Sequence, residues 1–407
     1  MLRILAAKMP RAATLHAKMA VATTKKTATS KRKIEEKPAA VETSNSNNDN
    51  DKSASSSSKP KPAAKKAKGP TVPLHANLPN NKTFPAKLEF TAKKDDTLRI
   101  SAWNVCGINA CEKKGLKTYL MAEDPDIIIL SETKTQTEPD IMHIKHQFKH
   151  RYWGGDLTKG YAGVAILSKH KPIEVIYGLP TAEDQSTTKG RMITLEFASF
   201  FLIGTYTPNA GDNLKFMDRK TEWNVSFEKF LRELDAKKPV VWGGDINCAL
   251  TENDIRNATS NWNKTAGYTQ EETDGLNSQL NPSEDSGHEK LVDVWRELNP
   301  DLEGHYTFVR SLFSLSPLHL HILTHPFFLS VILERKTFQN PSSSLTLSFF
   351  LPVSYRFGCR EKGIGWRIDS FITSQRVFEK VKACEIRQEC YGASDHVPII
   401  IDIDLSP

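Results

Sequence analysis

The chain has 407 residues, with 55 Lys and Arg against 48 Asp and Glu and a formal net charge of +7. That length admits two average domains, or one large α/β domain with extensions. Six scattered cysteines, none in a C-x-x-C pair, argue against a disulfide framework or a thiolate metal site and for a reduced intracellular protein.

The charge is unevenly placed. Residues 1–85 carry 17 basic and 5 acidic side chains, a net of +12, which leaves −5 for residues 86–407. This arm is rich in Ala, Lys, Ser and Asn, broken by Pro, and has too little apolar surface to offset chain entropy. It is expected to be a disordered targeting and affinity arm, with order beginning near Phe90. Lys and Arg displace counterions condensed on phosphates, so a nucleic-acid partner suits it; a solubilising tail is the competing reading. Nine basic and no acidic residues in the first 34 fit a mitochondrial presequence. The clusters Lys31-Arg32-Lys33 and Lys65-Lys66 read equally as nuclear signals, and the nucleus is the favoured expectation.

From residue 90 onward, strands and helices alternate. Residues 98–103 read as a strand and 112–122 as a helix. The continuous apolar run 127–130 has the character of a strand buried on both faces, and 163–167 continues the series. Residues 192–197 and 200–206 form a predicted hairpin turning at Ala198-Ser199. Trp223, Phe227, Phe230, Leu231 and Leu234 recur at helical spacing, and Lys237-Lys238-Pro239 ends that helix. A strand at 240–242, a helix at 288–298 and a strand at 368–372 follow. Val397, Ile399, Ile401 and Ile403 alternate as a last strand. The pattern predicts an α/β fold of two packed mixed β-sheets flanked by helices, a four-layer α/β sandwich.

Residues 310–353 depart from it, with four charged side chains (Arg310, Glu334, Arg335 and Lys336) among Leu, Ser, Phe, His and Pro. The uncharged run 312–333 approaches the length of a membrane span, but Pro317, Pro326, His319, His321 and His325 argue against one. The segment reads as an insert foreign to the domain of residues 86–407, of the kind translated intron sequence would give, with a genuine lineage-specific binding loop as the alternative.

Polar residues fall where the predicted strands begin or end: Asn104, Glu132, Tyr206 with Asn209, Asp245 with Asn247, Asp369, and Asp395-His396. Any one is ordinarily a cap or turn former. Six such sites on strand ends suggest one shared rim. The set holds carboxylates for a hard cation, an Asp or His base for water, and neutral or cationic donors for a phosphate.

The runs SAWNVCGINA (101–110), LSETK (130–134), TYTPNAG (205–211), GGDIN (243–247), GWRID (365–369) and GASDHVPI (392–399) resemble, in order, the motifs of exonuclease III-type abasic endonucleases, in the endonuclease/exonuclease/phosphatase superfamily. The resemblance implies a Mg²⁺-dependent phosphodiesterase, with Mn²⁺ as a substitute, acting as a monomer and without a membrane on double-stranded DNA containing abasic sites. It would cut 5′ to the abasic sugar and leave a 3′-hydroxyl, with 3′-exonuclease or 3′-phosphodiesterase activity as an accessory. By the same resemblance, Glu132 would be the main metal ligand, with Asn104 and Asp395 close by. Asp245 would orient or deprotonate the water and Asn247 would donate to the phosphate. His396, oriented by Asp369, would bind the scissile phosphate, with Tyr206 and Asn209 beside it. Asp245, Asn247 and His396 would hold a second metal. Phe308, Trp366 and Ile368 would wall the pocket for a flipped-out, base-less sugar.

Three positions depart from the family pattern. Cys106 stands where the family has Asp or Asn, Asp212 where animal members have a basic residue, and Ser101 where some have a redox-signalling cysteine. Two competing readings remain: a sibling hydrolase such as a DNase I-like nuclease or a lipid phosphatase, and an isoform with a disrupted pocket that binds DNA or partners without efficient cleavage.

Overall fold

In the run Ile127-Ile128-Ile129-Leu130, alternate side chains must face opposite sides of a sheet, and both sides here are buried. Ile127 and Ile129 pack with Ile193, Leu195, Leu202, Val241 and Phe371. Ile128 and Leu130 pack with Leu116, Tyr119, Leu120 and Phe148. One face of this strand therefore meets a second sheet and the other meets helices.

The computed structural model describes residues 83–94, 96–309, 360 and 363–407. Its first sheet contains β1 (Leu98–Asn104), β2 (Ile127–Ser131), β3 (His150–Gly154) and β4 (Val164–Ser168). The second begins with β5 (Glu174–Tyr177), β6 (Met192–Glu196), β7 (Phe201–Tyr206) and β8 (Val240–Asp245), and takes in β9 (Leu291–Asp293) and β10 (Asp369–Ser374). Strands β11 (Val381–Ile386) and β12 (Ile399–Ile403) return to the first. Strand orders are β11-β12-β1-β2-β4-β3 and β5-β6-β7-β8-β10-β9. β1 with β2 and β7 with β8 are parallel, and the other neighbours are antiparallel.

Helices α1 (Ile108–Glu112), α2 (Leu116–Glu123) and α3 (Met142–Gln147) lie along the first half of the chain. The long α4 (Met217–Asp235) precedes α5 (Ala258–Asn261), α6 (Gln270–Leu280), α7 (Val294–Leu298) and α8 (Gln375–Phe378). Trp223, Phe227, Phe230, Leu231 and Leu234 of α4, with Leu276 and Leu280 of α6, cover Met192, Ile203 and Trp242 on the outer face of the second sheet. The four-layer sandwich expected from the sequence is the fold found. Where the sheets meet, Gly204 and Gly243 are register partners on β7 and β8. A Cβ at Gly204 would lie 2.8 Å from Ile129 Cγ2 of the facing sheet, and one at Gly243 would lie 3.1 Å from Ile129 Cδ1 and 2.5 Å from Phe371 Cε1 of the adjacent β10, so both glycines make room for Ile129 and Phe371.

Several boundaries differ from expectation. The helix placed at 112–122 is two helices, parted at Gly115, whose φ of 155° and contact with the Phe84 ring leave no room for a side chain. Phe84 also stacks on Trp103 at 6.2 Å, so packed structure begins before Phe90. The helix placed at 288–298 starts as β9, paired with β10, and turns helical only after the Asp293 carboxylate caps Arg296 N. β3, β5 and β11 were not anticipated: these edge strands are half-exposed and lack a clean apolar alternation. The basic arm up to residue 82, and the insert at 310–353, lie outside the described residues.

Candidate active site

Strand direction explains why six distant sequence sites meet. Because β1, β2, β7 and β8 are joined as parallel pairs, their C-terminal ends carry Asn104, Glu132, Tyr206 and Asp245 to one rim. β10 and β12 run against their neighbours β8 and β1, so their N-terminal ends bring Asp369 and His396 to the same rim. Asp245 is the register partner of both Tyr206 and Asp369. A cleft of about 930 Å³ opens there, lined by Glu132, Tyr206, Asn209, Asp245, Asn247, Phe308, Trp366, Ile368, Asp395 and His396 among others. Asn104 and Asp369 lie just beneath, fully buried.

Asn104 links the two sheets. Its Nδ2 donates to Glu132 Oε1 at 3.0 Å and to Asp245 Oδ2 at 2.9 Å, while its Oδ1 accepts from Cys106 N at 3.0 Å. Glu132 sits at φ 50° just past β2, where its carboxylate also meets Lys134 Nζ at 3.0 Å and the Tyr206 phenol. Burial would raise Glu132, but Lys134, Asn104 and His396 outweigh it and hold the carboxyl below its ordinary value. Burial and Glu132 together push the Tyr206 phenol well above its usual 10, so it remains a hydrogen-bond donor.

On the other side, His396 Nδ1 lies 2.8 Å from Asp369 Oδ2. Burial would lower the imidazole, yet Asp369, Asp245 and Asp395 raise it to about 10, so the ring is cationic with Nδ1–H donated to Asp369. Thr307 Oγ1 accepts from Asp369 N at 3.1 Å, and Trp103 Nε1 donates to His396 O at 3.0 Å. Asp245 behaves differently from Glu132: burial, then the charge of Asp369, push it up to about 7. Asn247, at φ 51°, donates its backbone N–H to Asp245 Oδ1 at 2.9 Å. Its side chain accepts from Asn209 Nδ2 and donates to Thr207 O, both at 2.9 Å.

The donor set suits a hard divalent cation. Half-buried Glu132 and buried Asp245 share one amide donor, Asp369 adds a third acid, and the raised Asp245 marks an excess of buried negative charge that such a cation would offset. Ligand atoms of Asp245, Asp369 and His396 lie within 4.8 Å of one another. The Asn247 amide, expected beside Asp245 and His396, accepts from Asn209 Nδ2 and donates to Thr207 O.

Phe308 and Trp366 exchange backbone hydrogen bonds at 2.8 Å, and the Phe308 ring lies 4.7 Å from that of His396. With Ile368, Ile255 and Tyr268 they form an apolar wall, complete up to the start of the insert. Arg367 anchors this wall from behind, through Asp254 at 2.7 Å and Asp293 at 2.7 Å.

A family model, the endonuclease/exonuclease/phosphatase family, matches residues 101–396. The chain belongs to that family. It is 32% identical over 340 residues to "DNA repair nuclease APEX1" of Danio rerio, covering 83% of this chain and 90% of the relative. It is 32% identical over 309 residues to an exodeoxyribonuclease of Bacillus subtilis, covering 76% and 100%. It is 31% identical over 318 residues to a DNA-(apurinic or apyrimidinic site) endonuclease of Dictyostelium discoideum, covering 77% and 72%. The fold is similar to that of an AP endonuclease from Archaeoglobus fulgidus, with TM-score 0.56 and 22% identity over 76% of this chain and all of that one.

The family's departures in this chain now have surroundings. Cys106 Sγ accepts from Lys134 Nζ at 3.4 Å, and burial, with the charge of Asp395, pushes the thiol up to about 11. Ser101 is buried, its hydroxyl 2.6 Å from that of Tyr119. Asp212 lines the cleft with Lys215, Phe216 and Lys264, none of which the sequence reading singled out. Lys134 was inside a quoted motif but unassigned; its pairing with Glu132 follows from Glu132 and Lys134 both taking positive φ, 50° and 55°.

Proposed function

We propose that this family member is a DNA-repair endonuclease that hydrolyses the phosphodiester 5′ to an abasic site. The observation that carries the reading is one cleft in which the Asp369–His396 pair, the raised Asp245 and the Asn104–Glu132 pair face an apolar wall of Phe308, Trp366 and Ile368. That apolar wall suits a sugar without a base. A non-cutting binder is not favoured, since the relatives reported above carry nuclease names.

In the mechanism, Asp245 holds the attacking water and accepts its proton as the oxygen bonds to phosphorus. The P–O3′ bond breaks in line, and the departing O3′ takes a proton from solvent water to leave a 3′-hydroxyl. Protonated His396 donates Nε2–H to a phosphate oxygen, and Asp369 fixes the ring and its charge. Asn209, Asn247 and the Tyr206 phenol supply further donors to the charge that develops there. Glu132, with Asn104 and Asp395 near it, would hold Mg²⁺ (or Mn²⁺), which when bound supplies Lewis-acid stabilisation of the phosphate charge.

The test compares cleavage of a duplex holding one abasic site, the intact duplex, and an inositol phosphate, with Mg²⁺. Incision confined to the abasic duplex, with a 3′-hydroxyl end, supports the reading; preference for either other substrate overturns it. Residues 1–85 are read as a nuclear targeting and DNA-affinity arm, with mitochondria as the second destination; imaging of fluorescent fusions with and without the arm tests this. A monomer is expected by light scattering.

A further inference from the structure

Lys220 is a buried lysine that the mechanism above does not use. It lies in the first turn of α4, 1% exposed, and its side chain runs inward beneath the loop that follows β8. Its ammonium donates to two successive backbone carbonyls, Ile246 O at 3.0 Å and Asn247 O at 3.4 Å. Both carbonyls reach one ammonium because the loop turns sharply at Asn247, at a positive φ that costs a non-glycine residue energy. Asn tolerates this conformation better than most side chains, and a buried amine held by carbonyls is expensive. The pairing persists where the surrounding structure fixes both.

The loop so held carries the groups assigned to water and phosphate. Asp245 accepts from Asn247 N, and Asn247 is tied through its amide to Asn209 and Thr207. The opposite wall of the cleft is fastened nearby: the buried Glu272 accepts from Gly267 N at 2.8 Å and Thr269 Oγ1 at 2.9 Å. Lys220 and Glu272 each feel the other's charge. We infer that Lys220 is a positioning residue, which holds Asn247 in its left-handed turn and thereby fixes the Asp245–Asn247 pair against the scissile phosphate. This rests on the roles proposed above for Asp245 and Asn247. It adds that a side chain from the helical layer sets their geometry without touching substrate.

The test uses the full chain with three substitutions. Lys220→Met keeps the stem and removes the donors, Lys220→Arg retains donors, and Leu234→Ala lowers stability from the core of the same helix, away from the cleft. Single-turnover and steady-state cleavage of the abasic duplex are measured beside thermal midpoints. Lys220→Met is expected to lower kcat about 10- to 100-fold, since small misplacements of reacting groups cost rate on that scale, with KM within about twofold. Lys220→Arg should recover part of the loss. Combined with Asn247→Ala, Lys220→Met should cost little more than Asn247→Ala alone. A loss in Lys220→Met no larger than in a Leu234→Ala protein of equal midpoint overturns the inference, as does full additivity with Asn247→Ala. Should Lys220→Met not fold, Lys220→Gln takes its place under the same criteria. If Asn247→Ala itself leaves kcat unchanged, the site assignment fails; if Asn247→Ala is costly while Lys220→Met is silent, only the positioning role fails.

Discussion

Replacing Asp369 by Asn removes one negative charge, at constant shape, from a pair that is almost wholly buried, with Asp369 2% and His396 4% exposed. Burial alone would lower the imidazole, yet Asp369 leads the carboxylates that hold it at about 10 against an ordinary 6.5. A rise of that size corresponds to about 5 kcal/mol between the protonation states. In Asp369→Asn the largest contribution opposing burial is gone, so His396 should lose its proton near or below neutral pH. At pH 8 only roughly a tenth of the rings would then be cationic, and the Asn amide no longer enforces one ring orientation. An expected fall in kcat of about 10- to 1000-fold follows, the lower figure from charge alone. Stability should respond in a defined direction. A folded-state value raised above the unfolded one stabilises fully below 6.5, and that contribution is lost as pH rises toward about 10. Asp245, held at about 7, acts in the same direction at lower pH, so the informative window is about 7.5 to 10. In chelator, the wild-type thermal midpoint should fall across that window and the variant's should be flatter. Imidazole nitrogen shifts by NMR report the protonation state itself. A ring still cationic at pH 9 in Asp369→Asn, with kcat within twofold, would refute the role given to this pair.

Glu132→Ala should weaken Mg²⁺ binding by calorimetry, while Asp245→Ala or His396→Ala should lower turnover far more than affinity for the abasic duplex; full activity in either of the last two sinks the assignment. Gly243→Ala would press a methyl against Phe371 Cε1 at 2.5 Å and Ile129 Cδ1 at 3.1 Å, and should cost about 1–3 kcal/mol in urea unfolding. An unchanged midpoint would mean that Phe371 and Ile129 yield cheaply there. Deleting residues 310–353 should raise solubility and cleavage together, since loop closure costs little and the segment's apolar run favours association. Loss of cleavage in a well-folded deletion would make the segment part of the working enzyme.

Much of the site was legible in the sequence because its parts are short and local. Asn104, Glu132, Tyr206, Asp245, Asp369 and His396 each sit where an apolar strand stops or starts, a position that periodicity exposes without any knowledge of partners. The core of α4 was equally plain, since Trp223, Phe227 and Phe230 announce a buried stripe. Half-exposed edge strands such as β11 were not, because one-sided pairing leaves no apolar rhythm to detect. β9 was hidden for a related reason: three residues pair with β10 before a helix begins, too few to break a helical pattern.

What only the tertiary structure decided is the pairing across distance. Asn104 and Asp245 are 141 residues apart in the chain, and nothing near either one names the other. Their meeting depends on parallel strands in two sheets ending at one rim, and on Gly204 and Gly243 making room for Ile129 and Phe371. Electrostatics follow from the same enclosure: Asp245 rises and Glu132 falls although both line one cleft, because Glu132 has Lys134 beside it while Asp245 is more deeply buried and faces Asp369. Lys220 is the clearest case. In sequence it is one lysine among the charged residues that open an amphipathic helix, where solvent is the ordinary destination. Only the packing of α4 under the β8 loop turns that ammonium inward, onto two carbonyls that exist as a pair only once Asn247 has taken its left-handed turn.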